Sequence, residues 1–302
     1  MSEFYRIKSV SEVHHMYGLP KPSHPLITII RQWPQIDFDF GNTKLTSDMY
    51  LLSMKGKMKV TTFQYGRNSY DFEEGTLLFL APDQVATFDN SMEALDDSGW
   101  TILFHPDLIR RSELGKSINE HSFFKYEANE ALHVSEKEKL FLIELVDKID
   151  EEINQNMDRY SQDLIIKNLE TILKYSDRYY DRQFYTRSNL NKDRVAQFEA
   201  FLTDYFSSDE LKNLGLPSLS QCGEALNMSG PYLSDLLKIE TGRSAKDHIH
   251  SFIVEKAKTA LLTSKDSISQ IAFRLGFEYP QHFSKLFKSK TDLSPTEYRS
   301  LN

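Results

Sequence analysis

A short segment near the carboxyl end of the chain carries amide and ammonium groups at helical spacing. Gln281, Lys285 and Lys288 follow one another at intervals of four and three residues, with Phe283 and Phe287 between them. In an α-helix this spacing places the polar side chains on one face and the phenylalanines on the other. A glutamine amide can pair with the edge of adenine, and a lysine can donate to guanine acceptors or to a phosphate. The pattern predicts a helix that docks by its apolar face and contacts nucleic acid with its polar face.

Further polar positions extend this face, and a similar face occurs earlier in the chain. Near the carboxyl end the outward positions are Tyr279, Pro280, Gln281, Ser284, Lys285 and Lys288, with Lys290 near the helix end and suited to phosphate. In the earlier segment Ser229 is expected to cap a helix whose packing residues are Tyr232, Leu233, Leu236 and Leu237. Its outward positions are Gly230, Pro231, Ser234, Asp235 and Lys238. These two sets form the predicted nucleic-acid interface.

Each of these segments follows a shorter helix and a tight turn. In the copy nearer the carboxyl end, Ser267 and Gln270 have the spacing of a capping box that starts a helix. Gly276 suits a left-handed residue at the end of that helix, and Pro280 fits the first turn of the next one. Two short helices joined by such a turn form a helix-turn-helix.

The helix-turn-helix pattern occurs twice. Residues 218–228 match residues 267–277 at an offset of 49, and from Ser234 and Ser284 onward the offset is 50. The units therefore span 218–240 and 267–290, and the second has a turn one residue longer. Apolar residues recur at helical spacing between the units, which predicts a joining helix from Ser244 to Leu262. Its ~19 residues would span ~28 Å, which suits two recognition helices held about one DNA turn, ~34 Å, apart.

Three residues of the first unit depart from the second. Asp235 places a carboxylate on the predicted outer face, where it repels phosphate but can accept from cytosine N4. Gly223 stands where the second unit has Ala272, and glycine is expected to weaken the helix there by roughly 1 kcal/mol. Cys222 occupies the core position of Ile271, so we expect a buried structural thiol rather than a redox switch or a methyl acceptor. These differences bear on the affinity of the first unit and not on its fold.

These residues resemble the carboxy-terminal domain of the AraC/XylS family of bacterial transcription regulators. The resemblance covers residues 218–298 and is strongest over 271–277, 283–288 and Ser294-Pro295. Upstream, residues 75–82 look like the sensor domain found in many members. The resemblance implies two helix-turn-helix units joined by one long helix, each placing a recognition helix in the major groove of DNA. It also implies a cupin-like barrel able to enclose a small ligand.

The region before residue 125 predicts a β-rich domain. Strand patterns occupy residues 26–30, 49–54, 58–63, 76–80 and 101–104, and turn signals rich in glycine, asparagine and proline separate them. Many short strands at regular spacing indicate a barrel or a sandwich. The resemblance favours a cupin-like barrel.

Little in this region suggests an enzyme. Metal-dependent cupins carry a tight His-x-His cluster. No two histidines of this region have that spacing; they are His14, His15, His24, His105, His121 and His133. The adjacent His14 and His15, on what we expect to be a flexible stretch, predict a solvated pair. We therefore expect no metal, no cofactor and no catalytic residue. The many aromatic residues between Trp33 and Trp100 either fill the core or line an effector pocket, and both interpretations stay open.

Two amphipathic helices follow the strands. Ser135 and Glu138 form a capping box before an apolar stripe of Leu142, Leu145, Val146, Ile149 and Ile153. A second helix starts near Ser161, and its stripe is Ile165, Leu169, Ile172 and Leu173. The resulting αα-hairpin, residues 135–177, either packs only on its own barrel or forms a dimer interface, as the resemblance implies. Residues 175–189 lack periodicity and predict a linker at 181–190, after which Asn191 starts the DNA-binding domain.

Composition limits the class of protein. The chain has 302 residues, 40% hydrophobic and 26% charged, which suffices for two domains with their own cores. The longest apolar run is five residues, Leu77 to Ala81, too short for a transmembrane helix. The amino terminus lacks an apolar signal segment, and a single cysteine excludes an internal disulfide. We therefore expect a cytoplasmic protein.

The net charge of −8 is unevenly distributed. Residues 187–302 contain 15 Lys and Arg against 14 Asp and Glu, a balance of +1, and the other residues contain 21 against 30, a balance of −9. From Gly242 onward the numbers are 10 against 6, a balance of +4. The positive charge thus lies where the second helix-turn-helix lies, and local charge matters more for phosphate contact than the total.

Together these patterns predict an α+β protein. A cupin-like sensor and dimerisation domain would span residues 1–180, and an all-α DNA-binding domain would span 191–302. The predicted function is sequence-specific transcription regulation by a homodimer, with double-stranded DNA, a small-molecule effector and RNA polymerase as partners. One alternative is a DNA-binding module fused to an enzymatic cupin or repair domain, which would need a reactive cysteine outside the helix-turn-helix core. Another is a regulator whose barrel is only a dimerisation scaffold.

Overall fold

The computed structural model describes residues 4–31, 44–55, 62–65, 68–71, 75–87, 99–127, 130–186 and 188–300. The chain divides into two compact units, Met1–Gln183 and Phe184–Asn302. The first unit combines strands with helices, and the second is helical. The protein is therefore α+β, which confirms the predicted class.

The described strands of the amino-terminal unit form two five-stranded sheets. Their bounds are β1 (Phe4–Ile7), β2 (Ile27–Ile30), β3 (Lys44–Ser47), β4 (Tyr50–Met54), β5 (Thr62–Tyr65), β6 (Asn68–Asp71), β7 (Thr76–Leu80), β8 (Ala86–Thr87), β9 (Trp100–Phe104) and β10 (Leu132–His133). The first sheet has the order β1-β3-β8-β5-β6, and β1 runs parallel to β3. The second has the order β10-β7-β4-β9-β2 and is antiparallel throughout.

The second sheet forms the core of this unit. Every residue of β7 and β9 is buried, so the sheet is covered on both faces. On one face Phe79 and Phe104 belong to a cluster of aromatic rings, in which Phe79 meets Phe124 edge-on at 5.9 Å. On the other face Ser53 lies opposite Thr101, and their hydroxyl oxygens are 2.9 Å apart. Buried hydroxyls that pair with each other avoid the cost of an unsatisfied polar group.

Four of the predicted strands are confirmed to within a residue at each end: β2, β4, β7 and β9. The fifth, predicted at residues 58–63, lies largely outside the described residues, which include only its last two at the start of β5. Within the described part of the chain, the strands form two sheets and not one closed barrel.

The prediction of a flexible amino-terminal stretch was wrong. Helix α1 (Val10–Met16) begins after Ser9, whose side chain accepts from the N–H of Glu12, and Val10 and Val13 are buried. Of the predicted solvated pair, His15 is exposed, whereas His14 is half-buried and its ring nitrogens contact the carbonyl of Pro20 and, at 2.8 Å, Oγ1 of Thr28. A helix of seven residues with two buried valines is too short a pattern to stand out in a sequence.

Helix α2 (Glu113–Ser117) and short 3-10 turns lead to the predicted hairpin of α3 (Glu136–Asn154) and α4 (Ser161–Thr186). The capping box of Ser135 and Glu138 is present, with both of its hydrogen bonds. Both predicted apolar stripes are buried within the unit, including Leu145 and Ile149. These stripes therefore serve the unit's own packing.

Helix α4 continues through residues that we expected to be irregular. Its buried face extends through Ser176, Tyr179, Tyr180 and Gln183, which keep helical spacing. Gln183 accepts from the N–H of His133 at 2.8 Å and donates to the carbonyl of Ala131 at 3.2 Å. This extension of the helix was missed because serine, tyrosine and glutamine occupy its buried positions.

The carboxy-terminal unit consists of helices joined by short connections. The helices are α5 (Ser188–Tyr205), α6 (Glu210–Leu214), α7 (Leu219–Ala225), α8 (Gly230–Thr241), α9 (Ala245–Thr263), α10 (Ile268–Arg274), α11 (Pro280–Thr291) and α12 (Pro295–Arg299). Phe198 and Leu202 of α5 are buried. Helix α9 follows its cap Ser244 and is the predicted joining helix, with Ile249, Ile253, Ala257 and Leu261 buried along it.

Candidate nucleic-acid interface

The first helix-turn-helix is formed by α7 and α8. Ser218 and Gln221 make both bonds of a capping box at the start of α7. The turn passes through Asn227, whose φ is 55°, the left-handed region that asparagine tolerates better than most residues. Ser229 then caps α8 by accepting from the N–H of Tyr232 at 3.2 Å. Each of these boundaries agrees with its sequence signal.

Helices α7 and α8 approach one another through two glycines. A Cβ on Gly223 would lie 2.5 Å from the carbonyl oxygen of Met228 and 2.7 Å from the nitrogen of Gly230. A Cβ on Gly230 would lie 2.7 Å from the carbonyl oxygen of Leu219. Gly230 is therefore buried, and its predicted outward position was wrong. Gly223 is therefore required by close packing, in addition to weakening the helix as predicted from its propensity.

The second helix-turn-helix is formed by α10 and α11. Ser267 and Gln270 complete the predicted capping box. Gly276 follows α10 with a φ of 85°, at the position that Asn227 has in the first unit. Pro280 is the first residue of α11, where its missing N–H leaves no partner unsatisfied. Phe283 and Phe287 are fully buried beneath the helix, as predicted.

The repeat extends to the way in which each recognition helix ends. The hydroxyls of Thr241 and Thr291 donate to the carbonyl four residues earlier, at 2.7 and 2.8 Å. The next residue is left-handed in both copies, Gly242 with φ 75° and Asp292 with φ 61°. A serine then caps the following helix, Ser244 before α9 and Ser294 before α12. The two units therefore share a hydrogen-bonding scheme as well as a sequence pattern.

The outer face of α11 presents the interface that the sequence predicts most clearly. Gln281, Lys285 and Lys288 are exposed along it, and Tyr279 is exposed at its start. His282, which was not among the predicted contacts, is also exposed, with its ring 5.5 Å from that of Tyr279. Imidazole and phenol groups can both donate to acceptors on DNA. The face therefore offers a row of donors from the first turn of the helix to the last.

Two predicted contacts on α11 are engaged within the protein. Ser284 is half-buried, and its hydroxyl donates to the carbonyl of Pro280 at 3.2 Å. The ammonium of Lys290 lies 3.1 Å from a carboxylate oxygen of Asp247 in α9. The hydroxyl of Ser244, together with Lys290, holds the pKa of the Asp247 carboxyl below its usual value. The carboxylate is therefore charged at neutral pH and attracts the ammonium.

The outer face of α8 offers fewer charged groups. Lys238 is exposed, whereas Pro231, Ser234 and Asp235 are half-buried. The oxygen of Ser234 accepts from the N–H of Ala245 at 3.4 Å, so this residue lies at the junction with α9. The structure thus agrees with the inference that the second unit carries more of the positive charge.

Cys222 is a core residue, as expected. It is fully buried in the middle of α7, and burial raises the pKa of its thiol to about 11. A thiol that stays protonated at neutral pH is a poor nucleophile. Among the described residues, no group of three histidine, cysteine or acidic side chains is placed to hold a metal ion. In the same residues, no helix is both long and apolar enough to cross a membrane.

Residues 222–300 match a family described as a helix-turn-helix domain. Over 94 residues the chain is 35% identical to the uncharacterized transcriptional regulatory protein YesN of Bacillus subtilis, which covers 30% of this chain and 26% of that protein. Over 109 residues it is 30% identical to the HTH-type transcriptional activator RhaS of Klebsiella pneumoniae, and the alignment covers 36% of this chain and 37% of that protein. Over 84 residues it is 32% identical to the xylose operon regulatory protein of Escherichia coli K12, and the alignment covers 28% of this chain and 21% of that protein. The chain thus spans well under half the length of these curated relatives.

A solved structure is similar to part of the chain. The carboxy-terminal domain of the two-component response regulator yesN from Fusobacterium nucleatum aligns with a TM-score of 0.32 and 27% sequence identity. The alignment covers 35% of this chain and 98% of that domain.

Proposed function

We propose that this chain, whose carboxy-terminal unit carries an AraC-type helix-turn-helix domain, is a sequence-specific DNA-binding transcription regulator. The observation that carries the proposal is the repetition of a complete helix-turn-helix, with matching caps, left-handed turn residues and helix ends. Helix α9 joins the two copies, and at ~1.5 Å per residue it is about as long as the separation of two successive major-groove segments. The curated relatives are named as transcriptional regulators or activators, which supports the same conclusion.

We assign the contacts by exposure and chemistry. On α11, Gln281 and Lys285 would contact base edges, and Lys288 would contact phosphate. Tyr279, Pro280 and Ser284 would border that surface. On α8, the contacts would come from Lys238 with Pro231, Ser234 and Asp235, and the buried Gly230 would support the fold. The proposed sites thus keep the predicted set except Gly230, which packs against α7, and Lys290, which pairs with Asp247.

The amino-terminal unit would bind the effector and pair two chains. We propose that its two sheets belong to a cupin-like fold that holds a small-molecule effector, and that two chains pair through the hairpin of α3 and α4. One relative is named for the xylose operon, which supports regulation by a small molecule. RNA polymerase would be the further partner of an activator. The chain would act in the cytoplasm without catalytic activity of its own.

Selection from a pool of random DNA duplexes tests the proposal. The full-length protein should enrich a site with two contacted segments about ten base pairs apart, because each recognition helix reads one major-groove segment. Enrichment should disappear in the double variant Lys285→Ala with Lys288→Ala, whereas Lys265→Ala, outside the recognition helices, serves as the matched control. If folded protein, checked by circular dichroism, enriches no sequence, the proposed function is wrong.

A further inference from the structure

Two residues at equivalent positions of the repeat make equivalent contacts with opposite charge. Glu240 lies in the last turn of α8, and Lys290, fifty residues later, lies in the last turn of α11. The carboxylate of Glu240 accepts from the side-chain amide of Asn191 at 3.1 Å. The ammonium of Lys290 donates to the carboxylate of Asp247 at 3.1 Å. Each contact ties the end of one recognition helix to another helix of the unit.

The residue that contacts the end of the recognition helix occupies a corresponding place in both copies. Asn191 lies in the first turn of α5, and Asp247 lies in the first turn of α9. For the second helix-turn-helix, α9 thus takes the place that α5 has for the first. An amide–carboxylate hydrogen bond and an ion pair are different chemistry. What the two copies share is a side-chain contact between the end of the recognition helix and the start of a neighbouring helix. Its presence in both copies, with different chemistry, indicates that holding these two helices together is what it does.

The partner side chains are held in place before they meet the recognition helix. Asn191 is buried, and its amide also donates to the carbonyl of Phe184 at 2.8 Å. Asp247 accepts from the hydroxyl of Ser244 at 2.7 Å through the oxygen that does not face Lys290. Side chains fixed in this way lose less conformational entropy when they bind a second group. They are therefore suited to hold a helix end in a defined position.

We propose that Glu240 and Lys290 are positioning residues, which set the angle and spacing of the two recognition helices, and that Lys290 does not contact phosphate. The inference rests on the proposed DNA-binding function. Both recognition helices must reach their segments of one duplex at the same time, so their relative placement determines which spacing of segments is bound. Loss of either contact would lower the affinity for DNA whose two segments have the native spacing. It would also reduce discrimination against DNA with altered spacing.

The two roles of Lys290 predict different behaviour in a DNA-binding titration. A phosphate contact releases counterions, so its loss lowers the slope of log affinity against log salt by about 0.9. If Lys290 contacted phosphate, removal of Asp247, which competes for its ammonium, would raise the affinity for DNA. A positioning contact loses affinity when either partner is removed. Its loss leaves the number of phosphate contacts unchanged.

The experiment uses the full-length protein and a fluorescent duplex that carries the selected site. Lys290→Met and Asp247→Asn should each weaken binding by about 2- to 5-fold, the range expected for a partly exposed ion pair. The double variant should be no weaker than either single variant, because both remove one contact. The salt slope should stay at the wild-type value. Lys288→Met, two residues away on the exposed face, is the control that should lower the slope by about 0.9.

A second duplex, with one base pair added between the two segments, measures discrimination by spacing. The ratio of affinities for the two duplexes should fall in both variants and recover in the reversed pair Asp247→Lys with Lys290→Asp. For the first unit, Glu240→Met should lower the ratio, and Glu240→Gln, which retains an acceptor, should preserve it. If Asp247→Asn binds as tightly as wild type while Lys290→Met lowers the salt slope, the positioning role is wrong. Wild-type protein that binds no duplex selectively would instead contradict the proposed function.

Discussion

Gly223 shows how one residue can be misread without its neighbours. Its place at the contact of α7 with the backbone of residues 228–230 leaves no room for a methyl group. We therefore expect Gly223→Ala to lower the free energy of unfolding by about 1–3 kcal/mol, although alanine favours helices. Urea denaturation followed by circular dichroism measures the change. Ala272→Gly at the equivalent position is the counterpart and should cost ~1 kcal/mol through helix propensity. A stabilised Gly223→Ala protein would show that the close approach relaxes easily.

Lys285 and Asp235 test whether the two recognition helices contribute unequally. Lys285 is exposed in the middle of α11, so Lys285→Ala should weaken DNA binding by about 1–3 kcal/mol and relax selectivity at one base position. Asp235→Ala should leave affinity equal or slightly higher, because a carboxylate repels the phosphates near it. Fluorescence anisotropy with the selected duplex measures both. A larger loss for Asp235→Ala would reverse the ranking of the two helices.

His248 predicts how stability depends on pH. Its Nε2 lies 2.8 Å from Oγ1 of Thr241, and its ring meets Phe198 edge-on at 5.9 Å. Burial, with nearby Arg243, lowers the pKa of this imidazole, against smaller opposing effects of Glu199 and Asp247. Above pH ~6.5 both folded and unfolded forms are neutral at this site. Below it the unfolded chain binds the proton first, so stability falls.

The expected loss begins below pH ~6.5 and ends once the pH is below the folded-state pKa of His248. Its slope cannot exceed about 1.4 kcal/mol per pH unit for one proton. His248→Gln should flatten the curve in part, because burial also lowers the pKa of the imidazoles of His24 and His250, which contribute as well. Urea denaturation between pH 5 and 8 tests this. An equally steep curve for His248→Gln would exclude the assignment.

At the scale of elements, α4 contributes a residue to the core of the carboxy-terminal unit. Phe184 in its last turn is 2% exposed and packs on Tyr232 of α8 with ring centroids 4.8 Å apart. We expect Phe184→Ala to destabilise this unit by about 3–5 kcal/mol. Tyr185→Ala is the matched control, because that neighbour is 78% exposed and should change stability little. Thermal unfolding of a fragment that starts before Phe184 gives the comparison. Equal melting temperatures would show that Phe184 is dispensable.

Elements with strong local signals were the ones that the sequence predicted well. Ser218, Ser267 and Ser135 each start a helix through a hydrogen bond between residues three apart, so the signal is contained in the sequence itself. The end of α4 was missed because its stability comes from contacts with distant segments, such as that of Gln183 with His133. Strand β1 was missed for a related reason: it pairs with β3, forty residues away.

The candidate site was predicted where periodicity decides exposure and missed where backbone proximity decides it. The outward positions of α11 follow from a period of 3.6 residues. The burial of Gly230 depends on how closely α7 approaches, which no local pattern reports. The engagement of Lys290 depends on Asp247 in another helix, 43 residues earlier. Long-range geometry therefore separates the contacts that the sequence identified from those that it could not.

At the scale of the whole molecule, the remaining question is assembly, and the hairpin is the surface proposed for it. The apolar stripes that first suggested a dimer are buried inside the unit, so Leu145→Glu with Ile149→Glu would unfold it rather than separate two chains. The exposed apolar residues lie elsewhere on the hairpin. Leu140 of α3 is 59% exposed and Leu164 of α4 is 45% exposed. A contiguous exposed apolar patch is typical of an interface, and we expect these two leucines to belong to one.

We predict that the full-length protein is a homodimer and that Leu140→Glu with Leu164→Glu gives a folded monomer. A two-fold interface uses the same surface twice, so each substitution places two carboxylates in it. The monomer should bind one copy of the selected site with reduced apparent affinity, because the second chain no longer adds its contacts. Analytical ultracentrifugation at micromolar concentration measures the assembly, and Lys137→Glu on the exposed side of α3 controls for added charge. If the wild-type chain sediments as a monomer, the two leucines are isolated surface residues and the hairpin serves only its own unit.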